Sequence, residues 1–241
     1  MRKILVFLLV FCASTGLRAQ DVNPSAWTLY NGRYDLNERW FLNSELHFRF
    51  TDGALTFQQF LFRPQVSYVL NPNFTFSGGY TYIHTYPYGE YPLPNDIGEN
   101  NIWEEVMIHH PLGSLKMSHR IRMEHRWIEH PVVSGTGSIN GSNPGYSFGN
   151  RFRYRLILEY RWKDSPWAVM AYDELFFSTN EYLVPQGLNQ NWLYLSAKYK
   201  LNDRWVIQTG WQQQYLELAN GTTQQNPTWL TAVHYHLPAR P

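Results

Sequence analysis

Arginine and glutamate are placed at alternate positions in two stretches of this chain. In Met117–Trp127, Arg120, Arg122, Glu124 and Arg126 fall on one side of an extended strand, with Ser118. Met117, His119, Ile121, Met123, His125 and Trp127 fall on the other. A second stretch repeats the pattern, with Arg151, Arg153, Arg155, Glu159 and Arg161 alternating with Phe152, Tyr154, Leu156, Leu158, Tyr160 and Trp162. A helix would scatter these charges around its surface, whereas a period of two sorts them completely. Arg49, Arg63 and Glu174 take equivalent places in other runs. Two kinds of chemistry are open to such a set. An arginine–glutamate ladder could fill and stiffen an interior, or a ring of arginines could favour anions and other small polar solutes in a passage.

One strongly charged face and one aromatic, apolar face call for two different solvents. A soluble sandwich would bury the apolar face, and a membrane barrel would turn it to lipid and keep the charges in the lumen. Arginine on a lipid-facing position costs about 2–4 kcal/mol near the bilayer midplane, so in a barrel the pattern sends these side chains inward.

Composition favours the barrel. Aromatic residues make up 17% of the chain, yet mean hydropathy is −0.43, and no stretch is apolar enough for a transmembrane helix. Met1-Arg2-Lys3, the apolar run Ile4–Ala13 and Leu17-Arg18-Ala19 read as an export leader cleaved after residue 19. The run is too short to span a bilayer as a helix, and Phe11 before Cys12 disfavours lipid attachment. Removing residues 1–19 takes away the single cysteine and three of the 20 Lys and Arg, leaving 17 against 19 Asp and Glu. That balance gives no basic excess for nucleic acid, and disulfides are excluded.

Eleven alternating runs are legible between Trp27 and Leu237. Bacterial single-chain barrels normally have an even number of strands. The expectation is therefore an all-β, antiparallel transmembrane barrel of about twelve strands, with ten as the alternative, formed by residues 20–241 as one domain. Gln20–Leu36 and Asp52–Gln59 are the places where a segment could be split. Short turns alternate with longer loops, and three turns share a form: Leu36-Asn-Glu-Arg-Trp40, Leu70-Asn-Pro-Asn-Phe74 and Leu201-Asn-Asp-Arg-Trp205. The closing aromatic suits a membrane interface. Pro64 marks an edge, a bulge or a broken ladder. Glu104 beside Glu105 leaves the faces of the fifth run unresolved.

The remaining polar residues are less telling. His234 and His236 share a strand face, but no cysteine completes a metal site, and no cofactor is expected. Asp173 and Glu174 point to opposite faces; Glu174 inward beside an arginine is the economical arrangement, which leaves Asp173 without an account. No GxSxG motif occurs, and Ser118 and His119 face opposite ways, so no nucleophile–base pair is assembled.

Arg120-Ile-Arg-Met-Glu-His-Arg-Trp127, Asn150-Arg-Phe-Arg-Tyr-Arg155, Ala171-Tyr-Asp-Glu174 and the Leu-Asn-x-x-aromatic turns resemble the uncharacterised family called domain of unknown function 2490, over about Trp27 to Leu237. His125 stands where that pattern favours glutamine. The resemblance implies an outer-membrane barrel-like protein and carries no catalytic residues. The expected role is structural, or a narrow pore for small polar or anionic solutes, in contact with outer-membrane lipids. The alternatives are a lipid-modifying enzyme, or a surface-binding barrel acting through loops 87–100 and 129–145.

Overall fold

A computed structural model describes residues 21–89, 95–130, 145–179, 185–218 and 221–239. The leader assigned to residues 1–19 and most of the 129–145 loop lie outside them. The described residues form one closed sheet: β1 (Asp21–Val22), β2 (Ser25–Asp35), β3 (Trp40–Thr51), β4 (Thr56–Asn71), β5 (Phe74–Thr85), β6 (Ile97–Leu112), β7 (Leu115–Glu129), β8 (Tyr146–Arg161), β9 (Trp167–Ser178), β10 (Gly187–Lys200), β11 (Trp205–Glu217) and β12 (Thr223–Leu237). Each strand from β2 to β12 pairs antiparallel with its sequence neighbour, and β12 then pairs with β2 to close the barrel.

Eleven strands form the wall among the described residues, which corrects the expectation of twelve. Neither suspected split holds. Residues 52–54 are a short 3-10 turn followed by a bulge opposite Arg49 and Phe50. The two residues of β1 pair with Gln224 and Gln225 of β12 just ahead of the β2–β12 pairing, so they extend the first strand past Asn23-Pro24. An odd number of up-and-down strands brings the first and last together pointing the same way, and β12–β2 is indeed parallel. The start of β2 and the end of β12 consequently lie at opposite rims.

The rims differ. Turns 36–39, 72–73, 113–114, 162–166 and 201–204 gather at one rim, and the longer connections gather at the other with the start of β2. The repeated turn works through its asparagine. Asn37 Oδ1 accepts the backbone N–H groups of Arg39 and Trp40, both at 2.9 Å. Asn71 does the same for Asn73 and Phe74, and Asn202 for Arg204 and Trp205. Each asparagine mimics a backbone carbonyl and satisfies two donors where the chain reverses. The following aromatic then begins the next strand on its outer face, where Trp40 meets Tyr68 at 4.8 Å and Trp205 meets Tyr235 at 4.6 Å; Trp167, after the 162–166 turn, likewise meets Tyr199 at 4.7 Å.

Between the rims, exposed Leu42, Phe48, Phe62, Val66, Ile102, Ile121, Leu193, Leu195 and Trp211 cover the outside. Polar and charged side chains fill the inside. Pro64 faces outward in the interior of the sheet. Its ladder to β5 is interrupted between Phe62–Tyr82 and Gln65–Gly79 without a change of register, so the broken-ladder reading applies. Gly79 faces inward there: a Cβ would run into the Trp103 ring and lie 2.6 Å from the Pro64 carbonyl oxygen. Only glycine lets Trp103 lie flat against the wall.

Candidate functional site

The lumen is the candidate site. Strands β3, β4, β7 and β8 aim eight arginines inward: Arg49, Arg63, Arg120, Arg122, Arg126, Arg151, Arg153 and Arg155. Five glutamates share that space: Glu45, Glu99, Glu105, Glu124 and Glu174. The register sets Arg120 directly opposite Arg155, and Arg122 opposite Arg153. Like charges facing across strands repel, so carboxylates must be interleaved among them.

Glu174, fully buried, accepts hydrogen bonds from Arg120, from Arg153 Nε at 2.8 Å and from Arg155 Nε at 2.8 Å. Glu124 takes Arg151 Nε at 2.6 Å and Arg153 Nη1 at 2.7 Å, so Arg153 bridges the two carboxylates. Glu105 accepts from Arg122 Nε at 2.7 Å and lies 3.6 Å from Arg120 Nε. Glu99 receives both Nε and Nη2 of Arg126, at 2.6 and 2.8 Å, in the fork geometry that favours arginine over lysine. Glu45 pairs with Arg63 at 2.7 Å and His47 at 3.2 Å.

Aromatic rings are interleaved with this network. Arg122 lies over Trp103 at 3.9 Å, Arg155 over Tyr172 at 4.0 Å, Arg153 over Phe176 at 4.4 Å and Arg49 over Trp27 at 3.8 Å. Trp192 touches both Trp27 (5.5 Å) and Phe176 (4.7 Å). A stack of rings and guanidiniums therefore crosses the lumen from β2 and β3 to β8 and β9. A cavity of about 410 Å³ remains beside it.

Of the residues singled out in the sequence, Arg120, Arg122, Glu124, Arg151, Arg153, Arg155 and Glu174 join one ion-pair system through Glu105, Glu124 and Glu174, while Arg126 and Arg63 form separate pairs with Glu99 and Glu45. Arg49 lines the same lumen and bonds Gln59 at 2.5 Å. Glu159 stands apart near the turn rim, paired with Lys198 at 2.5 Å and Arg161 at 3.1 Å. Glu45, Glu99 and Glu105 were missed as counter-charges. Glu99 lies near the start of β6, and Glu104 beside Glu105 obscures the period of that run. Their faces are now plain: Glu105 is in the lumen, and Glu104 is outside, 3.3 Å from His125. Asp173 also faces outward and accepts a 2.6 Å hydrogen bond from Asn191, which supplies its missing account.

Serine and histidine do meet, across strands, which corrects the expectation that no such pair is assembled. Ser118 Oγ lies 2.9 Å from His109 Nδ1 in the turn half of the lumen, and Ser147 Oγ lies 2.5 Å from His130 Nε2 at the loop rim. A search within one strand misses both, because antiparallel neighbours and not sequence neighbours share a face. His234 and His236 turn to separate partners, Gln208 at 2.9 Å and Asp35 at 2.7 Å. Among the described residues, no group of three or more His, Cys, Asp or Glu is placed to hold a metal ion.

No curated protein and no solved structure matches the chain. A family model does match, over residues 25–226, and the chain belongs to that family, described as "Protein of unknown function (DUF2490)".

Proposed function

From that family membership and this geometry, we propose that the protein is an integral outer-membrane β-barrel whose lumen admits small polar or anionic solutes. The residue 1–19 leader would direct its export. The observation that carries the reading is the separation of solvents across a single wall, with an apolar belt outside and buried, ion-paired arginines inside. In water the belt would leave an extended apolar surface exposed, far beyond the patches that soluble monomers carry. Against acyl chains it is matched, and the surrounding lipids are the protein's first partners.

The belt's height fits as well. Outward aromatics recur ten residues apart along three strands, at Trp40 and Phe50, Trp167 and Phe177, and Trp205 and Tyr215. At the usual strand rise and barrel tilt, ten residues span about 25 Å, the height of an outer-membrane apolar band. With the short turns toward the periplasm, as is usual in such barrels, the longer loops face outside.

Fractionation and gel migration test the membrane assignment. The protein should sediment with outer membranes and run faster on gels unboiled than boiled. A monomer that stays dispersed without detergent would rule it out. Conductance in planar bilayers then separates passage from a structural role: an anion preference weakened by Arg153→Ala supports passage, and silent bilayers with folded protein support a structural barrel. The Ser147–His130 pair at the loop rim favours one second reading, an outer-membrane lipid hydrolase or acyltransferase. Phospholipid turnover in detergent that disappears in Ser147→Ala would support it, and turnover unchanged by that substitution would refute it.

A further inference from the structure

The two walls of the lumen are chemically unlike. The arginine wall carries eight guanidiniums against five carboxylates, an excess of three positive charges. Opposite it, β10, β11, β12 and β2 turn carboxamides, hydroxyls and indoles into the loop half, and their inward positions there hold no charged side chain. The cavity lies between the walls.

Buried donors on the neutral wall lack acceptors. Gln212 Nε2, Gln214 Nε2 and Trp27 Nε1 meet none, although these side chains are 0%, 3% and 4% exposed. Arg49 Nε across from them is unmet as well. Among the described residues no carboxylate lies within ion-pair reach of Arg49; its guanidinium bonds Gln59 and stacks on Trp27. Acceptors also go unmatched in this cavity, at Asn226 Oδ1 and Gln58 Oε1. Buried polar groups are rarely left this way, and clusters of them mark a place completed by solvent or ligand. Water would satisfy the hydrogen bonds but not the surplus charge. A bare anion would balance the charge but offers nothing to the unmatched acceptors.

A ligand with a carboxylate, several hydroxyls and a C–H face to lay against indole meets every requirement. We propose that the loop half of the lumen binds an anionic monosaccharide, a sugar acid whose carboxylate pairs with Arg49 while its hydroxyls engage Gln212, Gln214 and Asn226. The volume suits a small-molecule site, which typically occupies about 300–1,000 Å³. This inference rests on the solute-admitting lumen proposed above and names the class of solute.

Isothermal titration of the detergent-folded barrel with D-glucuronate, D-glucose and acetate tests it. Glucuronate should bind saturably and at least about tenfold more tightly than glucose, which lacks the charge, or acetate, which lacks the hydroxyls. Arg49→Gln and Gln214→Leu should each weaken glucuronate about tenfold. Neither substitution strands a carboxylate, and a retained heat-dependent gel shift confirms that each variant folds. Glucose or acetate binding as well as glucuronate would overturn the proposal, as would no saturable heat from a barrel that keeps its gel shift. That last result would leave the membrane barrel standing. A protein dispersed without detergent that still titrates glucuronate would remove the membrane reading and keep the site.

Discussion

Replacing Glu174 by glutamine preserves shape and removes one charge from the centre of the lumen. The carboxylate is fully buried and serves Arg120, Arg153 and Arg155 at once. Two of those arginines keep some support: Arg153 retains Glu124 at 2.7 Å, and Arg120 stays 3.6 Å from Glu105. Arg155 retains only its stacking on Tyr172, while its register partner is Arg120, another cation. Removing one member of a buried ion-pair group costs about 3–5 kcal/mol, because the charge left behind stays desolvated. Glu174→Gln should therefore lower unfolding stability by about 3–5 kcal/mol, read from urea titration of tryptophan fluorescence in detergent micelles. The double variant Glu174→Gln/Arg155→Met removes the stranded guanidinium and should recover about half of the loss, since apolar replacements of buried ions are often neutral or stabilising. Glu159→Gln, near the turn rim, should cost only about 0–1 kcal/mol. A Glu174→Gln barrel within about 0.5 kcal/mol of the parent would refute the idea that these carboxylates hold the arginine wall together.

Other outcomes follow from the same structure. Asn202→Ala deprives two turn N–H groups of their acceptor and should cost about 1–2 kcal/mol in the same urea titration, with no change in lumen binding. Gly79→Ala drives a methyl into Trp103 and the Pro64 carbonyl, and overpacking of this kind costs about 1–3 kcal/mol; the near-ultraviolet circular dichroism of the indole band should change with it. Because β2 and β12 are parallel, epitope tags placed before Asp21 and after Leu237 should be reached by antibody from opposite sides of the membrane. Both tags accessible from the same side of intact cells would contradict the closure.

Much of the lumen was legible because a strand barrel converts sequence parity into inside and outside. Arg120, Arg122, Glu124 and Arg126 share parity in β7, and the structure turns all four inward. Parity fails where a run's limits are obscure, which hid Glu99 and Glu105. It also says nothing about which strand lies beside which height of its neighbour, so Ser118–His109 and the Arg153 bridge between Glu124 and Glu174 could not be read in advance. The strand number went astray for a different reason. The alternation shows eleven runs and the even-number habit of bacterial barrels points to twelve, whereas the parallel β12–β2 seam lets an odd barrel close. The neutral amide wall was visible as the run of glutamines at 208, 212 and 214, but its unmatched donors appear only once the strands are packed.

Lipid contact of the outer belt is the central claim, and paired spin labels test it most directly. Cys12 is the only cysteine in the full sequence and falls in the proposed leader, so a chain exported as proposed would accept single introduced cysteines cleanly. Leu195 is 64% exposed on the outer face and Ser196, its neighbour, is buried in the lumen. In lipid vesicles a label at Leu195→Cys should be relaxed by oxygen and shielded from a water-soluble nickel chelate, while a label at Ser196→Cys should show little oxygen access. A Leu195→Cys label relaxed by the nickel chelate as strongly as one on an exposed turn residue such as Asp203→Cys would place the belt in water and contradict the membrane barrel.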